Sequence, residues 1–158
     1  KDRVEDALNA TRAAIDEGII PGGGVALMQA VSKLDTKGEN TEQEAGIDII
    51  RYACEAPFRA IMDNAGLTSD VVWNDIKAEI KNTRKAHKAG NKNIGFDARN
   101  EKVVDMLEAG IIDPCKVTTT ALQKAASVAG TILTTECVLT NIKDDNKAVV
   151  GPGQMPMM

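Results

Sequence analysis

The stretch that most constrains this chain is Gly18-Ile19-Ile20-Pro21-Gly22-Gly23-Gly24-Val25-Ala26-Leu27, a glycine turn set between two helical patterns. Consecutive glycines lack the Cβ that keeps partners at a distance and reach positive φ, so the backbone there can approach a phosphate, a sugar or another chain segment. The turn is not a P-loop, because no Lys followed by Ser or Thr comes after the glycines. It is not the dinucleotide fingerprint either, because no strand is read before it. On its residues alone, a structural hinge and a ligand-contacting loop both stay open.

At 158 residues the chain is long enough for one domain with a core. Only 3% of it is aromatic, so that core rests on Ile, Leu, Val, Ala and Met. A net charge of -4 argues against nucleic acid or an anionic membrane as partner, since neither polyanion is attracted by the overall field. Cys54, Cys115 and Cys137 are too far apart for a metal knuckle, which favours free thiols in a reducing compartment and no metal site. No apolar run of about 18 residues and no secretory signal is visible. The chain opens at Lys1, inside an amphipathic pattern, as a fragment would. A removed targeting peptide therefore stays open.

Residues 2–17 repeat apolar positions at helical spacing through Val4, Leu8, Thr11 and Ile15, and Gly18 ends the pattern. Helix restarts from Val25 to about Leu34. Thr41 with Glu44 has the capping-box pattern for the next helix, which Pro57 is expected to end or kink, leaving a short helix over 58–64. A further helix carries Val71, Val72 and Ile76. The basic stretch from Lys77 to Lys92 reads as a solvated helix or a mobile surface insertion, with His87 at the surface. Residues 93–96 form a short strand or turn, Val103 to Leu107 a short helix, and Ile111-Ile112-Asp113-Pro114 a tight exit. Thr118 to Thr120 cap a long alanine-rich helix to about Leu133, whose small residues predict close packing deep in the domain. Residues 134–142 read as one strand in need of a partner, and 143–158 as a disordered Gly/Pro/Met tail.

Taken in order, the segments RVEDALNATRAAIDEG, IIPGGGVAL, the EAP around Pro57, GFDARN to AGIIDP, and ALQKAASVAGTILTTEC closely resemble the C-terminal part of a group I chaperonin, the GroEL-like type of ring-forming folding machine. The resemblance implies a mainly α-helical, multihelical, incomplete equatorial domain with a small β element. Residues 1–17 would end the intermediate domain, 18–142 would form the C-terminal half of the ATP-binding equatorial domain, and 143–158 the tail. It implies ATP and Mg2+ as cofactors, with the magnesium-binding loop in the N-terminal half and the substrate-binding apical domain also outside this sequence. The implied partners are identical subunits in a heptameric ring, single or double, a co-chaperonin lid and unfolded polypeptide. The implied location is bacterial cytoplasm, mitochondrion or plastid.

By the same resemblance, Asp6 corresponds to the carboxylate that positions the attacking water. Gly23 corresponds to a contact on the ribose and base side, Asp97 and Ala98 to the adenine-side pair, and Asp113 to the acceptor for the ribose hydroxyls. Such roles suit phosphoryl transfer, which is mostly positioning and charge stabilisation. Bacterial members commonly have Asn where this chain has Asp97, and an ionised Asp only accepts hydrogen bonds. Arg99 replaces a small residue usual there. Arg59 matches an arginine used between rings, but the region of its usual glutamate partner reads Leu67-Thr68-Ser69, with Asp70 as a substitute. The chain alone is expected to lack ATPase activity. The alternative function is a non-enzymatic assembly or interaction module from a divergent chaperonin.

Overall fold

The computed structural model describes residues 2–86 and 92–140. Helix α1, Asp2–Glu17, starts with Asp2 and Glu5 in its first turn, where carboxylates favour the positive end of the helix dipole. It stops at Gly18, whose φ of 82° and bond from its N–H to the Ala14 carbonyl (2.8 Å) make a left-handed terminus. Strand β1, Ile19–Pro21, follows at once, which corrects the expectation that no strand precedes the glycines. Its partner is β4, Ile112–Pro114, antiparallel with Ile20 opposite Asp113. Each strand is only three residues long, and a run that short has no period to detect. Its pairing comes from far along the chain.

Helix α2, Val25–Val31, begins after Gly24 (φ 74°). It ends before the expected Leu34, where the Ser32 hydroxyl donates to the Gln29 carbonyl (2.8 Å) and competes with the helical ladder. Helix α3, Thr41–Asn64, is capped by the Asn40 side chain, which accepts from the Gln43 N–H (2.8 Å), so the cap lies one residue before the predicted Thr41. It runs unbroken through Pro57. Cys54, Phe58 and Met62 form a buried stripe on both sides of the proline. Burying such side chains contributes about 1.5 to 3 kcal/mol each, against about 3 kcal/mol for an interior proline, so packing decides.

Helix α4, Ser69–Ala86, buries Val72 and Ile76 and carries the helix into the basic stretch. His87 lies outside the described residues, as does the tail 143–158. Strands β2, Ile94–Asp97, and β3, Lys102–Asp105, form a hairpin. The helix expected over 103–107 is thus a strand and a turn: Val103 and Val104 take the pleat, and Met106 is wholly buried behind it.

Helix α5, Cys115–Leu133, starts directly from β4 with Pro114 as its extended flanking residue, three residues before the predicted threonine caps. None of its residues is buried, contrary to the deep packing expected of its alanines; its main contacts are with α1 and β4. The strand expected over 134–142 is not formed across 134–140, which are exposed and enter no ladder; 141 and 142 lie outside the described residues. Among the described residues no helix is long and apolar enough to cross a membrane.

The core joins α2, α3, α4 and β2 through Val25, Met28, Phe58, Met62, Val72, Ile76 and Ile94, with Trp73 edge-on to Phe58 at 5.9 Å. The glycine turn rests against it: a Cβ on Gly24 would stand 2.6 Å from the Phe58 backbone nitrogen. Gly24→Ala combines that clash with a left-handed φ and is expected to cost about 2 to 4 kcal/mol in urea unfolding. Glu101, at φ 52° on an exposed turn, offers the opposite change. Glu101→Gly is expected to raise stability by about 0.5 to 1 kcal/mol in the same measurement.

Candidate functional site

Two backbone bonds extend the β1–β4 ladder. The Gly22 N–H donates to the Ile111 carbonyl (2.9 Å), and the Cys115 N–H to the Gly18 carbonyl (3.0 Å). A Cβ on Gly22 would sit 3.1 Å from the Ile111 oxygen, so glycine permits this approach. The glycine turn and Asp113, about 90 residues apart in sequence, therefore belong to one rigid piece. Asp113 is half-buried. It and Gly24 line an apolar groove of about 370 Å³ between α2, α3 and α5, whose walls include Leu27, Cys54, Pro57 and Leu122. Asp113 is the charged residue of that wall. Burial pushes the Cys54 thiol up, leaving it protonated and unreactive at neutral pH.

Gly23 adjoins a different surface. At φ 67° a Cβ on it would meet Met106 Cε at 3.4 Å, and Met106 also packs under Gly95 of the hairpin. Ala98 packs against the core beside β2. Gly23, Asp97 and Ala98 thus belong to elements that meet at Met106 and Val25, while Asp113 joins them through the ladder.

Asp97 is committed to its own turn. Its Oδ1 accepts from the N–H groups of Arg99 (2.9 Å) and Asn100 (3.2 Å), and its Oδ2 from Asn100 Nδ2 (2.7 Å). The Asn100 amide first, and then the two backbone bonds, hold its carboxyl below the ordinary range. As expected for an ionised carboxylate it acts as an acceptor, and those bonds fix the hairpin tip.

Asp6 stands apart. It is exposed on α1, 12 residues before Gly18, which is about 18 Å of helix at 1.5 Å per residue. Arg59 is engaged within its own chain, with Glu55 Oε2 at 2.8 Å, Asp70 Oδ1 at 2.9 Å and Ser69 Oγ at 3.0 Å. Asp70 is thus a partner of Arg59 inside this chain, a different contact from one between rings. Among the described residues no group of three or more His, Cys, Asp or Glu could hold a metal ion.

Sequence reasoning missed Gln29, a buried polar side chain whose Nε2 donates to the Ile94 carbonyl (3.1 Å). Its place on the apolar face of α2, beside Val25 and Met28, was the available signal.

The TCP-1/cpn60 chaperonin family matches residues 1–143, and the chain belongs to that family. Among solved structures, a group III chaperonin in the open state superposes with a TM-score of 0.64 at 24% identity, over 80% of this chain and 25% of that one. The chain spans a quarter of that protein's length. This match overturns the group I, GroEL-like placement. What stands is membership of the chaperonin family and a mainly α-helical, multihelical fold of chaperonin type.

The carboxylate of Asp97 supplies a pH test of the hairpin tip. Its pKa is depressed on folding, so the stabilisation is present above the ordinary value of 3.8 and is lost as pH falls through the lower folded value. Exchange of the Arg99 and Asn100 amides is expected to accelerate on acidification below 3.8, after correction for intrinsic rates. Asp97→Ala is expected to show that loss at neutral pH, and Asp97→Asn, which keeps an acceptor oxygen, only part of it.

Proposed function

We propose that this chain is the nucleotide-binding C-terminal part of an ATP-driven, protein-folding chaperonin. Residues 18–142 would supply one side of an equatorial ATP site and residues 1–17 the end of the intermediate domain. The observation that carries the reading is the β1–β4 ladder, which fixes the glycine turn and Asp113 as one unit beside the hairpin that bears Asp97 and Ala98. Backbone free of Cβ at Gly23 suits close approach to a sugar, and a half-buried carboxylate at Asp113 suits a pair of ribose hydroxyls.

The phosphate end needs other groups. Asp6 would act as a carboxylate that orients water in line with the γ-phosphate, and for that α1 must swing it toward the nucleotide. ATP with Mg2+ would bind between this half and the remainder of the domain, and the magnesium ligand would come from outside this sequence. Hydrolysis would drive a ring of identical subunits that encloses unfolded polypeptide under a co-chaperonin lid. Seven is the subunit number to test, and native mass spectrometry reads it directly.

The test is ATP turnover by the full-length parent. Asp113→Ala is expected to weaken ATP binding by about 10- to 100-fold, as loss of charge-assisted hydrogen bonds does. Asp6→Ala is expected to lower turnover by at least about 100-fold with binding nearly unchanged. The isolated 158-residue chain is expected to show no turnover. Parent protein that binds no ATP, or chain alone that hydrolyses it in a magnesium- and Asp6-dependent way, would overturn the reading.

A further inference from the structure

The two halves of this nucleotide wall are separate pieces of chain, and something must hold them in register. Ile94 opposes Asp105 in the β2–β3 hairpin, while the Met106 N–H donates to the Asn93 carbonyl (2.9 Å). In an antiparallel ladder, that bond makes residues 94 and 105 a non-hydrogen-bonded pair, so the Ile94 carbonyl points away from β3, off the hairpin's outer edge. The edge is buried there, since Ile94 is 6% exposed. A carbonyl turned off a buried edge needs a donor.

That donor is the Gln29 side chain, itself 8% exposed, whose Nε2 lies 3.1 Å from the Ile94 oxygen. Gln29 stands on α2, one turn after Val25, and α2 starts directly from the glycine turn. Ile94 leads through Gly95 and Phe96 to Asp97 and Ala98. Apolar packing at the same seam is tight: a Cβ on Gly95 would stand 2.5 Å from Met106 Cγ and 3.1 Å from Val25 Cγ2. Dispersion contacts resist separation; a directional amide–carbonyl bond selects one register.

We propose that Gln29 is a positioning residue for the base side of the nucleotide: its amide fixes the hairpin tip, with Asp97 and Ala98, against the glycine turn. The inference rests on the ATP site proposed above. Gln29 touches no nucleotide atom, so its removal should act on the base and sugar end and leave the polyphosphate end alone.

The experiment compares binding of ATP and of inorganic tripolyphosphate, by calorimetry, to the full-length parent and its variants. Gln29→Leu keeps the volume and removes the donor. It is expected to weaken ATP by about 10-fold, the size of one lost hydrogen bond, with tripolyphosphate unchanged within about 2-fold. Gln29→Lys, which retains a donor on a flexible stem, is expected to recover most of the ATP affinity. Ile50→Val, a half-buried change in the first half of α3 and outside the core cluster that holds Ile94, serves as the control for lost stability and should leave the ratio of the two affinities as in the parent. If Gln29→Leu does not fold, Gln29→Met, which also removes the donor at similar volume, takes its place in the comparison with the same expected outcome. Unchanged ATP affinity, or equal loss for both ligands, overturns the inference while the ATP site stands. Parent protein that binds tripolyphosphate but shows no preference for ATP removes the ATP site, and this inference with it.

Discussion

The approach of Gly24 to Phe58 is the contact on which the rest depends. With a backbone nitrogen 2.6 Å from where a side chain would begin, the glycine turn lies flat on the middle of α3. That seats Val25 and Met28 against Phe58 and Met62 and so starts the core. The same seating delivers β1 to β4, and β4 feeds α5 without a linker. Bulk at this one position would push the turn off the core and move the ladder with it.

Helical parts of the fold were legible because they carry a period. α1 is read within its bounds from Val4, Leu8, Thr11 and Ile15, and α4 from Val72 and Ile76. Where the reading failed, a tertiary partner outweighed a local signal. Pro57 did not break α3 because the buried stripe crosses it, and Val103 to Leu107 formed strand and turn because Ile94 to Asp97 stood ready to pair. The alanines of α5 signalled close packing, yet in this chain that helix packs chiefly on α1 and β4, and Val117, Val128, Ile132 and Leu133 face outward.

The candidate site was legible as a set of residues and not as a geometry. Gly23 and Asp113 were marked by resemblance, but only the three-residue strands place them on one piece. Asp97 was marked as a base contact; its first task, holding Arg99 and Asn100 in the hairpin turn, follows from bonds to neighbours two and three residues on. Gln29 carried no motif. A buried amide reveals its purpose only when the carbonyl it meets has been located.

The left-handed glycine at the end of α1 has a mechanical consequence. Gly18 is exposed, and a Cβ on it would meet nothing within 4 Å; a tilt of α1 there works against the Cys115 N–H bond to the Gly18 carbonyl (3.0 Å), the ion pair between Asp16 and Lys116 (2.7 Å) and the contacts of α1 with α5 and β4. Asp6 rides about 18 Å out along this lever. A tilt of about 10° at the fulcrum would carry its carboxylate about 3 Å, roughly the length of one hydrogen bond. Small angular change at a single residue is thereby geared into a displacement of the Asp6 carboxylate many times larger than any at the fulcrum.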